Sequence, residues 1–320
     1  MIKEQRLDVF IESIQNETNT IKRFVMKRLD GKKLSSFIAG SHIKLFIPSE
    51  RGEMERRYSL TSDPNNREFY EIAVKWSIDS KGGSSYLHTH ASVGDSLQIS
   101  FPKNYFSLSP SARHHVFYAA GIGITPFLSM LTMLKRGGES FKLHYAATSK
   151  QDCAFYHRLK NLSEKEISFY FSSDRQRLNT DSLYNHQIGT HIYICGPTSF
   201  TTSFKETALE IGYPSVNIHY EHFGSPIPAE FASSFLIQFN DGRQLVVNQD
   251  VSVLDTLVQA GHSIPFSCKI GRCGTCEIKV KAGSILHLDE FLTDDEKQLN
   301  KSMMVCVSRC KGELLQLDLE

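Results

Sequence analysis

The alternation of apolar and polar positions along the chain changes character twice, dividing it into three stretches. In the first, Leu7-Asp8-Val9-Phe10-Ile11, Ile21–Arg28 and His42–Ile47 alternate as half-buried strands do, and Arg56–Leu60, Tyr70–Lys75 and Ser96–Ser100 continue the series. Short strands separated by turn residues predict a small antiparallel β-barrel over residues 1–108. Within it, Ser80-Lys81-Gly82-Gly83-Ser84-Ser85-Tyr86-Leu87 reads as a glycine–serine turn feeding a helix. The second stretch opens on the apolar strand His115–Ala120 and the turn Gly121-Ile122-Gly123-Ile124-Thr125-Pro126. Leu128, Leu131 and Leu134 then fall at helical spacing. Strands at Phe141–Ala147, Ile167–Ser172 and His191–Cys195 alternate with helices around 152–163 and 198–211, which predicts a parallel α/β sheet over 109–226. Ser225–Ala229 reads as a short linker. The third stretch, 227–320, holds a hairpin (Phe235–Phe239, a turn at Asn240-Asp241-Gly242, Gln244–Val247), a helix over Asp255–Ala260 capped by Gly261, and a strand at Glu277–Lys281. The expected fold is multidomain: an antiparallel barrel, an α/β domain and a small α+β domain.

Composition narrows the class. A length of 320 residues suits two or three domains, and 40% apolar with 22% charged residues describes an ordinary globular chain. A formal net charge of +1 argues against nucleic acid as a partner. No apolar run reaches the length of a membrane span, and Met1–Arg6 lacks the apolar core of a signal peptide. Seven cysteines form no disulfide framework, so a reducing cytoplasm is expected, with the protein monomeric in isolation and free of membranes.

Four of those cysteines carry the sharpest signal. Cys268, Cys273 and Cys276 are spaced C-x4-C-x2-C and are answered by Cys306, the plant-type pattern in which four thiolates hold a [2Fe–2S] cluster. Gly271 and Gly274 suit a backbone wrapped closely around inorganic sulfide. A structural zinc site pairs C-x2-C with a second such pair or with histidines, and neither follows. Cys310 is the alternative fourth ligand; the apolar run Met303–Arg309, read as a strand entering the site, favours Cys306.

The first two stretches carry groups suited to phosphorylated cofactors. Arg56 supplies a cation, Tyr58 an aromatic face, Ser59 a hydroxyl, and Gly83-Ser84-Ser85 a helix start that cradles phosphate. In the second, the strand, Gly121-x-Gly123 turn and helix place a diphosphate at a helix N-terminus, although the spacing departs from G-x-G-x-x-G. The predicted strand ends present Gly121, Ser172 and Cys195 on one edge of the sheet. Asp174 favours a free ribose 2′-hydroxyl and so NADH; Arg175 and Arg177 offer the opposite reading, a grip on the 2′-phosphate of NADPH.

Arg56-Arg57-Tyr58-Ser59-Leu60 resembles the R-x-Y-S flavin motif of the ferredoxin–NADP reductase superfamily. Ala120–Pro126 is similar to its A-G-G-I-G-x-T-P segment, with alanine at the first glycine, and Cys195-Gly196-Pro197 to its C-G-P motif. The resemblance implies that Tyr58 lies beside the flavin ring, Ser59 near its N5 edge and Arg56 on its phosphate, with Leu60 completing the motif. It also implies that Cys195 and Thr125 line the nicotinamide pocket and that Gly196-Pro197 opens a helix. Phe223 is the candidate aromatic cover for the flavin, the alternative being a packed domain-terminal phenylalanine. The order of barrel, nicotinamide domain and C-terminal β-grasp ferredoxin resembles one branch, the phthalate dioxygenase and vanillate demethylase reductases. Membership there implies FMN rather than FAD and electron flow from NADH through flavin and cluster to the Rieske centre of a terminal oxygenase. The catalytic set would be Ser59, Thr125 and Cys195. A redox sensor, or a reductase that uses FAD or NADPH and serves another acceptor, are the alternatives.

Overall fold

The computed structural model describes residues 5–49, 52–77, 82–223, 233–249 and 251–320. The chain forms two compact units, Met1–Phe223 and Gly224–Glu320. The expected linker at 225–229, and Ser80 and Lys81 of the glycine–serine turn, lie outside the described residues.

The first unit begins with β1 (Arg6–Asn16), β2 (Ile21–Arg28), β3 (His42–Ser49), β4 (Gly52–Ser59), β5 (Tyr70–Lys75), helix α1 (Gly83–Thr89) and β6 (Ser96–Ser100). The strands form one six-stranded sheet in the order β4-β3-β6-β1-β2-β5, every neighbour antiparallel. Val9, Ile11, Phe24, Met26, Ile43, Leu45, Ile72 and Ile99 fill its interior, as the alternating pattern requires. The edges approach each other beyond β4, where the Thr61 N–H donates to the Glu71 carbonyl at 2.8 Å.

A parallel sheet follows. It comprises β7 (His114–Ala120), α2 (Thr125–Gly137), β8 (Phe141–Ala147), α3 (Tyr156–Leu162), β9 (Ile167–Phe171), β10 (Thr190–Gly196), α4 (Thr198–Glu210) and β11 (Ile218–His222). The strand order is β11-β10-β7-β8-β9, all parallel. From β7 the chain winds outward to β9, then returns to β10 on the other side, so the order reverses between β7 and β10. Helix α3 is shorter than the expected 152–163, because turns occupy 149–153 and Phe155 takes a left-handed φ of 60° at its head. The two sheets share a core: Ile21, Ala39, Ala73 and Phe106 pack in one cluster with Phe117, Phe127 and Tyr193. Barrel and parallel sheet thus lie together in the compact unit Met1–Phe223.

The second unit contains β12 (Phe235–Gln238), β13 (Gln244–Val247), α5 (Val253–Gln259), β14 (Glu277–Ala282), β15 (Ile285–Leu286), α6 (Asp294–Leu299), β16 (Ser302–Met304), β17 (Arg309–Cys310) and β18 (Leu314–Leu317). Its main sheet runs β13-β12-β18-β14-β16, with β12 and β18 parallel at the centre, and β15 pairs with β17 separately. Ser252 caps α5 by accepting from the Asp255 N–H, and Gly261 takes a φ of 92° just past its end.

Candidate functional site

On the barrel, Arg56 and Gly83 meet although 26 residues of chain separate them. A Cβ added to Gly83 would sit 2.6 Å from Arg56 Cγ and 2.8 Å from its Nε, so only glycine lets the arginine stem lie across the start of α1. Gly82, with φ 102°, makes the turn that brings it there. The first amides of a helix lack intrahelical acceptors, so Arg56 stands where a phosphate would also find N–H donors. Ser84 Oγ accepts from the Ser77 N–H at 3.3 Å, tying the helix start back to the chain after β5. Tyr58 is half-buried, and burial pushes its phenol up to about 12, so it is neutral at physiological pH. Ser59 and Leu60 are buried, with the Leu60 N–H donating to the Ser41 carbonyl at 2.9 Å.

On the parallel sheet, the two glycine motifs converge at the crevice where the strand order reverses, the position at which open α/β sheets take ligands. Gly121 adopts φ 56°, and Tyr145, wholly buried on β8, donates its O–H to the Gly121 carbonyl at 3.0 Å. A Cβ on Gly123 would fall 2.2 Å from the Cys195 carbonyl oxygen, and one on Gly196 would fall 2.9 Å from Ala120 Cβ. Gly123 thus closes on the backbone of the other turn, and Gly196 packs against the Ala120 and Phe200 side chains. Thr125 begins α2 and donates its hydroxyl to the Ile122 carbonyl at 3.0 Å; Pro197 precedes α4 and accepts from the Thr201 N–H. Cys195 is fully buried and Thr125 nearly so. Phe223, just past β11, is 41% exposed rather than packed. Asp174 lies beyond the edge strand β9, exposed, accepting from the Ser173 hydroxyl at 2.8 Å, and Arg175 follows with φ 59°. The tyrosine that holds Gly121 escaped the sequence reading; its only sequence signal is a phenol in an otherwise apolar buried strand, which must find a partner.

In the second unit the four expected thiols gather. Cys306 donates its S–H toward Cys268 and Cys276. That bond, with the N–H groups of Ile270 and Arg272 at 3.4 and 3.3 Å, holds the Cys268 thiol down to about 4. Cys276 is lowered chiefly by the same Cys306 bond, while Cys306, the donor, is pushed up. Cys273 Sγ accepts from the Cys268 N–H at 3.4 Å. Gly271 and Gly274 take φ of 74° and 72°, and Cβ atoms there would strike Val307 at 2.7 Å and Phe291 at 2.4 Å. The expected strand over Met303–Arg309 ends instead at Met304. Both the Val307 and Ser308 N–H groups fold back onto the Met304 carbonyl, so Cys306 sits in a turn. Cys310 lies on β17 and accepts from the Gly312 N–H at 3.2 Å. Among the described residues no three His, Cys, Asp or Glu side chains converge on a point that one metal ion could occupy. Four thiols sharing two irons need not, since each iron takes two of them. Four gathered thiols, backbone amides aimed at sulfur and left-handed glycines fit a [2Fe–2S] group.

Three family models match successive parts of the chain. Residues 9–107 match the family model for the oxidoreductase FAD-binding domain, 100–218 that for the N-terminal domain of dimethylamine monooxygenase subunit DmmA-like proteins, and 238–311 that for the 2Fe-2S iron-sulfur cluster binding domain. The chain is 34% identical to the carnitine monooxygenase reductase subunit of Escherichia coli strain K12, over 98% of this chain and 99% of that one. It is 38% identical to the heme-dependent oxidative N-demethylase beta subunit of Ectopseudomonas mendocina strain ymp, over 98% and 99% of the two chains. Among solved structures it superposes on phthalate dioxygenase reductase, described as a modular structure for electron transfer from pyridine nucleotides to [2Fe–2S], with a TM-score of 0.76, 30% identity and 98% coverage of both chains.

Proposed function

The chain belongs to the family of flavin- and [2Fe–2S]-containing oxygenase reductases that includes phthalate dioxygenase reductase, and from that premise we propose that it is the reductase component of a two-component Rieske-type oxygenase. The observation that carries the reading is the pairing of two sites within one unit, a phosphate-ready barrel edge and a switch-point crevice, with a four-thiol loop in the other. When bound, a flavin takes a hydride from a nicotinamide and hands its electrons singly to an iron–sulfur cluster.

The residues hold and orient. Arg56 and the start of α1 take the flavin phosphate, Tyr58 flanks the ring and Ser59 offers a hydroxyl to its reacting edge. We propose FMN, because one phosphate suffices for one arginine and one helix start. Gly121 leaves open space at the crevice for the nicotinamide half, Gly123, Gly196 and Pro197 let the two turns meet there, Thr125 and Cys195 lie beneath it and Phe223 is the cover. Asp174 accepts from ribose hydroxyls and repels a 2′-phosphate, which selects NADH over NADPH. Cys268, Cys273, Cys276 and Cys306 hold the cluster. The domain boundaries at 108/109 and 226/227 belong to this reading, as do a monomeric state and a cytoplasmic location; among the described residues no helix is long and apolar enough to cross a membrane.

A second acceptor is favoured by two observations: a 38% identical relative is named for a heme-dependent demethylase, and the middle of the chain matches a dimethylamine monooxygenase model. A haem protein would then replace the Rieske centre while the path through this chain stays the same. The deciding experiment is anaerobic titration of the purified protein with NADH, followed by release and identification of the flavin. Bleaching of both flavin and cluster bands with FMN released is expected; an absent iron–sulfur band overturns the four-thiol reading.

A further inference from the structure

Glu71 turns from β5 into the seam between barrel and parallel sheet, its side chain only 6% exposed. Its Oε1 accepts from Arg158 Nη1 at 2.6 Å and from the Thr61 hydroxyl at 2.8 Å, and its Oε2 accepts from Arg23 Nη1 at 2.9 Å. Arg158 Nη2 donates to the Thr61 carbonyl at 2.6 Å, and the Thr61 N–H donates to the Glu71 carbonyl at 2.8 Å. Thr61 is thus held through its amide, its carbonyl and its hydroxyl, two residues after Ser59. Arg158 belongs to α3, on the parallel-sheet side. A second tie runs beside the first: Arg23 Nε lies 2.9 Å from Glu17 Oε1, and Glu17 Oε2 accepts from the Phe155 N–H at 3.1 Å, at the head of the same helix. Two carboxylates and two guanidiniums balance within this cluster.

We propose that Arg158, acting through Glu71 and Thr61, is a positioning residue that fixes the end of the flavin-motif strand against the parallel sheet. It thereby sets the separation between flavin and nicotinamide. The inference rests on the NADH-to-flavin reading above. Its physical basis is that transfer between two bound rings demands reacting atoms about 3–3.5 Å apart, so slack of an ångström lowers the rate steeply. Arginine is required because its planar fork reaches Glu71 and the Thr61 carbonyl together, whereas a lysine ammonium is a point charge.

The test uses Arg158→Lys in the full-length protein, with two readouts. Hydrogen exchange without NADH should accelerate together in the segments around Thr61 and around Phe155, by about tenfold as expected for a locally loosened element. In stopped flow, the limiting rate of flavin reduction should fall about tenfold while NADH affinity changes less than about twofold, the signature of lost orientation rather than lost binding. Unchanged exchange, or an unchanged limiting rate with flavin fully bound, overturns the proposal. Should Arg158→Lys lose its flavin, Glu71→Gln weakens the carboxylate through which Arg158 acts, and a native limiting rate there overturns it equally. If the unmodified protein is not reduced by NADH, the hydride reading fails, and the coupled exchange still decides whether Arg158 ties the two elements.

Discussion

At Gly271 two constraints coincide. Its φ of 74° costs a side-chain-bearing residue about 1–2 kcal/mol, and a Cβ would also lie 2.9 Å from the Asp289 backbone, which has no rotamer with which to give way. Gly271→Ala should therefore lose most of its iron while flavin content stays normal, as measured by iron and flavin per chain; a full complement of iron would show that the loop has room to spare. The same assay separates the two candidate fourth ligands. Cys306→Ser should strip or destabilise the cluster. Cys310→Ser should leave its absorption intact, because that thiol is engaged with Gly312 on a separate ladder. The need for glycine in this loop was legible from the cysteine spacing alone. Its walls, Val307, Asp289 and Phe291, were not, since they arrive from distant positions through tertiary packing.

Most elements that the sequence pattern found are long enough to show a period, and the four-residue β12 and β13 were found through the Asp241-Gly242 turn between them. Strands β2, β5, β6 and β8 carry the predicted boundaries, and the strand–turn–helix at the crevice stands where the glycines and Pro126 put it. Helix α6, with six residues, completes fewer than two turns and offers no period to read. Its signal was instead the Thr293-x-x-Glu296 box, in which Thr293 Oγ1 accepts from the Glu296 N–H and the Glu296 carboxylate accepts from the Thr293 N–H. Thr293→Ala should lower the stability of this unit by about 1 kcal/mol in urea denaturation, the usual worth of such a cap; no change would mean that tertiary contacts alone hold α6. Strand β11 was missed because polar His219, Glu221 and His222 interrupt its apolar run. In β5 the alternation is genuine, yet Glu71 and Ala73 on its outer face are buried as well. Alternation reports which face meets the barrel core and says nothing of a second sheet packed on the other.

For the molecule as a whole, burial makes the first unit sensitive to acid. His42, desolvated and flanked by Arg57, Lys103 and Lys44, is depressed to about 4, and buried His144 on β8 likewise. Both are neutral when folded, whereas in the unfolded chain each takes up a proton near pH 6.5. Stability is thus full above pH 6.5 and declines as the pH falls toward 4, by up to about 3 kcal/mol for each histidine. Calorimetry of the Met1–Phe223 transition should show its melting temperature dropping steadily across that window and less so in His42→Gln; a flat profile would mean that neighbouring groups compensate. The order of strands has one further consequence. Asp174 follows the edge strand β9, whereas Gly123 and Cys195 meet between β7 and β10, so two and a half strand spacings, about 12 Å, part Asp174 from the crevice. Under the proposed reading, substitutions at the margin of the sheet would therefore change which nicotinamide cofactor is accepted without disturbing its centre.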